Sequence, residues 1–244
     1  MACVEACTEG AHRNENGKHV LEFDLCKTHG KCASACLYDA LTLIGHAREV
    51  AEIMGMVEAD SAYYESSGGG ITLSGGEPMA QFGFVRELLQ ACRDKGIHTC
   101  IETCGFAGQE QYAELLPLVD VFLFDYKEDD PARHAELTGV SNERILSNLD
   151  YLYQNGAAII LRCPIVPGLN DSMEHLEAIA GLSRRYPNLL GVEIMAYHDM
   201  GNDKSVRIGR TLSSLANLKT TDEAKKAEWL MQLERLGEQR VKIG

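Results

Sequence analysis

The 244-residue sequence lacks several features that would place it in common classes of protein. It has no run of eighteen apolar residues and so offers no membrane-spanning helix. Basic residues are in deficit, and the net charge of −13 argues against a groove for nucleic-acid phosphates. The first seven residues lack the basic and apolar regions of a signal peptide. We therefore expect a cytoplasmic protein that binds neither membrane nor nucleic acid.

Cysteine, in contrast, is plentiful, with nine in the chain and five of them within residues 1–36. In a protein that is not exported, such thiols are typically reduced and bind metal. Cys26, His29, Cys32 and Cys36 have the spacing of a ferredoxin cluster run, C-x2-C-x2-C-x3-C, with histidine in the second position. Two interpretations stay open, a [4Fe–4S] cluster and a zinc knuckle, and His29 is either a ligand or an exposed loop residue.

An earlier pair, Cys3 and Cys7, matches the last half of a preceding run of this kind. The fourth cysteine of each run serves the other cluster. One cluster would therefore take Cys7 with three residues of the later run, and the other would retain Cys3 and Cys36. We predict that residues 1–44 form an incomplete ferredoxin-like module that needs metal to fold. The rest of the earlier run would precede Met1, so we expect an N-terminally truncated chain.

After residue 44, short apolar runs alternate with segments of helical periodicity. This alternation indicates α/β architecture, with a parallel sheet and helical crossovers over residues 45–244. An amphipathic helix is predicted over 48–64, and a long loop with some helix over 199–220. The predicted strands are 70–73, 98–103, 120–125, 158–163 and 191–195, and the predicted helices are 79–94, 108–117, 141–154, 171–185 and 222–237.

A glycine-rich turn, Ser74-Gly75-Gly76-Glu77-Pro78, follows the first of these strands. Glycine lets the backbone approach a bound ligand closely. Glu77 can accept hydrogen bonds from a ligand ammonium group, and Pro78 suits the first turn of the next helix. The other predicted strands also end in polar residues at the carboxyl edge, where parallel α/β proteins collect their ligands. These polar residues are Glu102, Thr103, Asp125, Lys127, Arg162 and His198. Any one of them, taken alone, is more often a charged or polar strand end in solvent than a ligand-binding residue.

With these motifs the sequence resembles the glycyl-radical-enzyme activating enzymes of the radical S-adenosylmethionine superfamily. They include the pyruvate formate-lyase activases and relatives with a ferredoxin-like insert. The similarity covers nearly the whole chain. It is strongest in residues 67–78, 125–127, 134–142, 162–171 and 196–198.

The resemblance implies a partial (β/α) barrel of the radical S-adenosylmethionine type, here lacking its first strand, with S-adenosylmethionine and [4Fe–4S] clusters as cofactors. Gly75, Gly76, Glu77 and Pro78 would hold the methionyl amino group. By the same resemblance, Asp125 and Lys127 would bind the cofactor, and Arg162 and His198 would line its site. Glu102 and Thr103, together with Asp125, would hold a monovalent cation.

The resemblance also implies a reaction. A reduced flavodoxin or ferredoxin supplies one electron, a 5′-deoxyadenosyl radical forms, and it takes hydrogen from a glycine of a partner glycyl radical enzyme. In this family a C-x3-C-x2-C loop binds the catalytic cluster, and residues 1–244 contain no such run. We therefore expect the chain alone to be inactive. The alternative interpretation is a non-catalytic iron–sulfur protein for electron transfer or cluster binding.

Overall fold

The computed structural model describes residues 1–209 and 218–244. These residues form two compact units. The smaller comprises Met1–Arg48 with Asp199–Leu218, and the larger comprises Glu49–His198 with Lys219–Gly244. The boundary lies four residues after the predicted one, and the segment beginning at Asp199 joins the smaller unit instead of the barrel. The iron–sulfur character predicted for residues 1–44 remains a proposal.

The smaller unit consists of short elements around a β-hairpin. Strands β1 (His12–Glu15) and β2 (Lys18–Leu21) pair antiparallel. The hairpin turns at Asn16-Gly17, where both residues have positive φ, as the two-residue turns that match strand twist require. The helices of this unit are α1 (Ala2–Ala6), α2 (Lys31–Ser34) and α10 (Gly201–Arg207).

The larger unit is a six-stranded parallel sheet whose strands follow one another in chain order. This topology confirms the α/β prediction and matches a partial (β/α) barrel. The strands are β3 (Gly70–Leu73), β4 (His98–Thr103), β5 (Val121–Asp125), β6 (Ile159–Ile165), β7 (Gly191–Ala196) and β8 (Val241–Ile243). The helices are α3 (Val50–Ala59), α4 (Ser61–Ser67), α5 (Phe82–Asp94), α6 (Gln109–Leu115), α7 (Pro131–Thr138), α8 (Glu143–Gln154), α9 (Met173–Arg185) and α11 (Glu223–Arg235).

The core of this unit lies on one face of the sheet. Residues of one parity along the strands, such as Ile101, Phe124 and Leu161, are fully buried. Residues of the other parity are only partly buried, so the opposite face remains accessible. Polar side chains at the ends of the strands on that face are therefore available to a ligand.

Five predicted strands match the observed ones within one or two residues, and the sixth, β8, was not predicted. Helix α7 was also missed, although Asp130 caps it and Pro131 occupies its first turn. The helix predicted over 48–64 is two helices that meet at Asp60. Within 199–220, residues 210–217 lie outside the described residues. No described helix is long and apolar enough to cross a membrane.

Candidate functional site

A row of charged side chains crosses the accessible face near the carboxyl ends of the central strands. The register places Asp125 of β5 beside Arg162 of β6, Arg162 beside Glu193 of β7, and Glu193 beside Lys242 of β8. Neighbouring side chains in this row alternate in sign. We refer to these four residues, together with Glu102 of β4, as the charged row.

Arg162 is the centre of the charged row. Its Nη1 lies 2.6 Å from Glu102 Oε1, and its Nε lies 3.8 Å from Glu193 Oε2. Lys242 Nζ lies 3.0 Å from Glu193 Oε1, on the other side of that carboxylate. The Arg162 side chain is only 15% exposed, and its buried Nε has no hydrogen-bond partner among the described residues. A buried guanidinium with a spare donor is suited to receive an anionic ligand group.

Asp125 and Lys127 form a second pair at the end of β5. Lys127 Nζ lies 3.3 Å from Asp125 Oδ2. Burial raises the pKa of the Asp125 carboxyl, and the Lys127 ammonium opposes that shift. Because alternation places both residues on the accessible face, the structure brings them together as predicted.

Glu77 has a different environment from the one that the sequence suggested. Its Oε1 accepts hydrogen bonds from Met79 N at 3.1 Å and Thr103 Oγ1 at 2.8 Å, and its Oε2 accepts one from Cys104 N at 2.7 Å. A carboxylate has about four acceptor positions. Most of the capacity of Glu77 therefore fastens the glycine-rich turn to the end of β4.

The turn itself leaves its backbone accessible. Gly75 has φ of +124°, a conformation that side chains with a Cβ rarely adopt, and a Cβ there would have no heavy atom within 4 Å. Gly75 and Gly76 are exposed, whereas Pro78 is buried in the 3-10 turn Pro78–Gln81. A ligand could thus contact the peptide groups of the turn directly, and Pro78 would support the turn from beneath.

One predicted site residue, Thr103, lies on the opposite face of the sheet from the charged row. The Thr103 side chain is buried on the core face, where its hydroxyl bonds Glu77 and lies 2.9 Å from Tyr112 Oη. It cannot share a cation with Glu102 and Asp125 through that hydroxyl. His198 is exposed and follows β7 by two residues.

The cysteines of the larger unit are not activated as ligands. Burial raises the pKa of the Cys104 thiol to about 11, with a further contribution from its hydrogen bond with Glu77. Burial also raises the pKa values of Cys100 and Cys163. Burial therefore favours the neutral thiol at these three positions in the metal-free protein.

The smaller unit brings together a set of predicted metal ligands. Cys7, Cys26, His29 and Cys32 line one cavity of about 720 Å³. They are the residues that the ferredoxin rule assigns to a single cluster. Cys36 is absent from the described lining of that cavity, and backbone N–H groups lower its pKa.

Residues that sequence reasoning missed hold the strand-end loops in place. The amide of Asn170 donates to the carbonyls of Lys127 and Pro164, at 2.6 and 2.7 Å, and so joins the ends of β5 and β6. Asn142 donates to the carbonyls of Glu128 and Asp129 at 2.9 and 2.6 Å. Both asparagines belong to segments that carry the family resemblance, 162–171 and 134–142, and that signal could have found them.

Sequence comparison relates the chain to enzymes that activate other enzymes. The pattern of the radical SAM superfamily matches residues 30–180. The isethionate sulfite-lyase activating enzyme of Nitratidesulfovibrio vulgaris is 42% identical over 210 residues, which cover 84% of this chain and 67% of that protein. The choline trimethylamine-lyase activating enzyme of Oleidesulfovibrio alaskensis is 40% identical over 214 residues, covering 85% of this chain and 69% of that protein.

Comparison with solved structures supports the fold. A domain of the pyruvate-formate lyase-activating enzyme of Bacteroides vulgatus superposes with a TM-score of 0.59 at 24% identity. The match covers 72% of this chain and 99% of that domain. At this identity the likeness concerns the architecture alone, and it agrees with the parallel sheet described above.

Proposed function

The chain belongs to the radical SAM superfamily and, within it, to the activating enzymes of glycyl radical enzymes, and we propose that its charged row holds S-adenosylmethionine for that activation. The observation that carries the proposal is Arg162, a largely buried guanidinium between two carboxylates and beside Asp125 at the carboxyl edge of β5. Ligand sites of parallel α/β folds gather at this edge.

The donor set of the site fits the groups of S-adenosylmethionine. The cofactor carries a carboxylate, an ammonium and a sulfonium. Arg162 and Lys127 offer cationic donors to the carboxylate, and Arg162 Nε has a free N–H. Asp125 and Glu102 offer negative charge to the ammonium and sulfonium, and the accessible peptide groups of Gly75 and Gly76 add hydrogen-bonding positions.

Within this proposal Glu77 and Pro78 shape the turn while Gly75 and Gly76 face the cofactor. The three hydrogen bonds of Glu77 fix the turn against β4 before any ligand arrives. A site built in advance loses less conformational freedom on binding, which raises affinity. His198 remains a proposed lining residue, and Glu102 and Asp125 remain the proposed carboxylates for a monovalent cation.

When bound beside a reduced cluster, S-adenosylmethionine supplies the carbon-centred radical that removes hydrogen from a glycine of the partner enzyme. The residues of this chain bind and orient it through opposite charges. The three cysteines that hold the family's catalytic cluster are not among residues 1–244, so we derive no step through that cluster.

For the smaller unit we propose a [4Fe–4S] cluster held by Cys7, Cys26, His29 and Cys32. Their common cavity supports this assignment. His29 Nδ1 lies 3.8 Å from Glu9 Oε1. A carboxylate beside a ligating histidine orients the imidazole ring. Three thiolates and one imidazole fit the donor preference of iron–sulfur clusters.

The proposed partners are a glycyl radical enzyme as the protein substrate and a reduced flavodoxin or ferredoxin as the electron donor. The activating enzymes similar to this chain are named for partners with different substrates, including isethionate and choline. We propose a cytoplasmic location, because reduced cysteine ligands require a reducing compartment.

The binding experiment uses the whole chain, reconstituted anaerobically with iron and sulfide. We expect calorimetry to show binding of S-adenosylmethionine, and Arg162→Gln to weaken it at least tenfold, or about 1.4 kcal/mol. Arg86→Gln is the control, since Arg86 is an exposed arginine paired with Glu114 at 2.7 Å. Equal affinity of Arg162→Gln and the unaltered chain would overturn the assignment of the charged row.

A second experiment tests the reaction class. The chain is incubated with S-adenosylmethionine, a reductant and isethionate sulfite-lyase or choline trimethylamine-lyase, the enzymes that its relatives are named for activating. Electron paramagnetic resonance then looks for a glycyl radical on that enzyme. A radical that forms only with both the chain and the cofactor supports activation and overturns the expectation that the chain alone is inactive. A cluster signal without a radical agrees with that expectation, whereas a cluster that passes its electron to an acceptor protein favours the electron-transfer alternative.

A further inference from the structure

Three metal-binding side chains meet in the smaller unit at the border of the cluster cavity, which His12 also lines. Ligand atoms of Cys3, His12 and His19 all lie within 4.8 Å of one another. Cys3 belongs to α1, His12 to β1 and His19 to β2. The group therefore connects the helix with both strands of the hairpin.

The hairpin register brings the two imidazoles together. Asn14 pairs with His19, so His12 and His19 are diagonal neighbours on one face of the hairpin. Their rings stack with centroids 5.0 Å apart, and His12 Nδ1 lies 2.7 Å from His19 Nε2. In the metal-free protein one nitrogen donates and the other accepts. Both present lone pairs to a metal once the proton of the donating ring moves to that ring's other nitrogen.

The spacing needs only a small adjustment for a metal ion. Two nitrogens that bind tetrahedral zinc at about 2.0–2.1 Å lie roughly 3.3 Å apart. The imidazoles would thus separate by a few tenths of an ångström, which a side-chain rotation provides. Two imidazoles and one thiolate form a donor set that favours zinc and similar borderline cations over calcium or magnesium.

Cys3 is not among the residues that line the cluster cavity, although Cys7 is. Among the described residues of the smaller unit, only Ala11 and His12 are buried. Such a unit has little hydrophobic core, and small domains of this kind usually depend on metals or disulfides. A metal between α1 and the hairpin would supply a cross-link that packing does not.

We propose that Cys3, His12 and His19 form a mononuclear zinc site that fastens α1 to the hairpin, with a ligand set distinct from that of the iron–sulfur cluster in the adjoining cavity. Zinc binds the Cys3 thiolate and both imidazoles, with water in the fourth position. One proton leaves as it binds, from the thiol, and both imidazoles stay neutral. No oxidation or reduction takes place.

The test measures zinc and iron in the same samples. The whole chain is reconstituted with iron and sulfide, supplied with one equivalent of zinc, and separated from free metal by gel filtration. We expect one zinc per chain in addition to the iron. His12→Gln, His19→Gln and Cys3→Ser should each lose zinc while they retain iron. His46→Gln is the matched control, because His46 is an exposed histidine of the same unit.

X-ray absorption at the zinc edge on the unaltered chain tests the proposal without any variant. One sulfur and two imidazole nitrogens in the zinc shell would support it. A shell of four sulfurs would overturn it, as would retention of zinc in both histidine variants. Loss of iron in Cys3→Ser would also overturn it, because Cys3 would then belong to a cluster.

Discussion

The carboxylate of Glu77 separates two roles that the glycine-rich turn could have. If its three hydrogen bonds hold the turn in the absence of ligand, Glu77→Gln must destabilise the free protein. A glutamine has one carbonyl oxygen, so it cannot accept from Cys104 N on one side while it accepts from Met79 N and Thr103 Oγ1 on the other. At least one backbone N–H then faces an amide N–H₂.

Losing a hydrogen bond to a charged group costs about 1.5–3 kcal/mol. We therefore expect the free energy of unfolding of Glu77→Gln to fall by about 2 kcal/mol, which lowers Tm by about 4–8 °C in a domain of this size. Chemical denaturation of the ligand-free chain, followed by circular dichroism, measures the change. Glu136→Gln is the control, because Glu136 is exposed on α7.

The reasoning fails if Glu77→Gln and Glu136→Gln unfold at the same denaturant concentration. The structural role of the carboxylate would then be negligible. Weaker binding of S-adenosylmethionine with unchanged stability would assign Glu77 to the ligand, as the sequence first suggested.

Three further predictions concern the same sheet. Glu193→Gln removes the carboxylate that lies 3.8 Å from Arg162 Nε, and we expect the affinity for S-adenosylmethionine, measured by calorimetry, to fall about three- to tenfold. An unchanged affinity would mean that Glu193 does not position the Arg162 guanidinium for the cofactor. Folding raises the pKa of Cys104 from 9.0 to about 11, so the contribution of its neutral thiol to the stability of the folded protein is present below pH 9 and is lost as the pH rises toward 11. Alkylation of Cys104, followed by peptide mapping, should therefore be slow at pH 9. Rapid labelling at that pH would contradict the burial of the thiol. Gly70→Ala places a Cβ in steric clash with the His98 carbonyl oxygen on the neighbouring strand, and we expect the free energy of unfolding in denaturant to fall by about 1–3 kcal/mol. An unchanged midpoint would mean that the two strands can separate without cost.

The sequence predicted the central strands well because their apolar runs are bounded by turn residues and alternate with helices. It could not show the rest of the charged row, since Glu193 comes beside Arg162, and Lys242 beside Glu193, only through the register of β6, β7 and β8. The strand β8 has only three residues, too few for a periodic pattern. The charged row was therefore predicted in part, without its last two members.

Two other differences have simpler causes. Glu102 and Thr103 were assigned to one cation, yet consecutive residues of a strand point to opposite faces, so parity alone would have separated their side chains. The hairpin of the smaller unit was missed, although Asn16-Gly17 is a strong signal for a two-residue turn.

The two units should respond differently to the loss of metal. Both hydrophobic clusters of the described residues consist of side chains of the larger unit, including Trp229, Phe124 and Leu161 in one and Met54 in the other. The larger unit therefore has a core that does not depend on a cofactor, whereas the smaller unit buries almost no side chains. Removal of iron and zinc by a chelator should unfold the smaller unit and leave the parallel sheet intact.

Hydrogen exchange with mass spectrometry measures this difference directly. We expect peptides that cover residues 1–48 to lose protection after chelation, and peptides of β4 to β7 to retain it. The comparison separates the two proposed sites, since a zinc-selective chelator should first release α1 and the hairpin, while reduced protection around Cys26 and Cys32 should require loss of iron. Equal loss of protection in both units would show that the sheet also depends on metal, and uniform retention would show that the smaller unit is stable through contacts other than metal ligation.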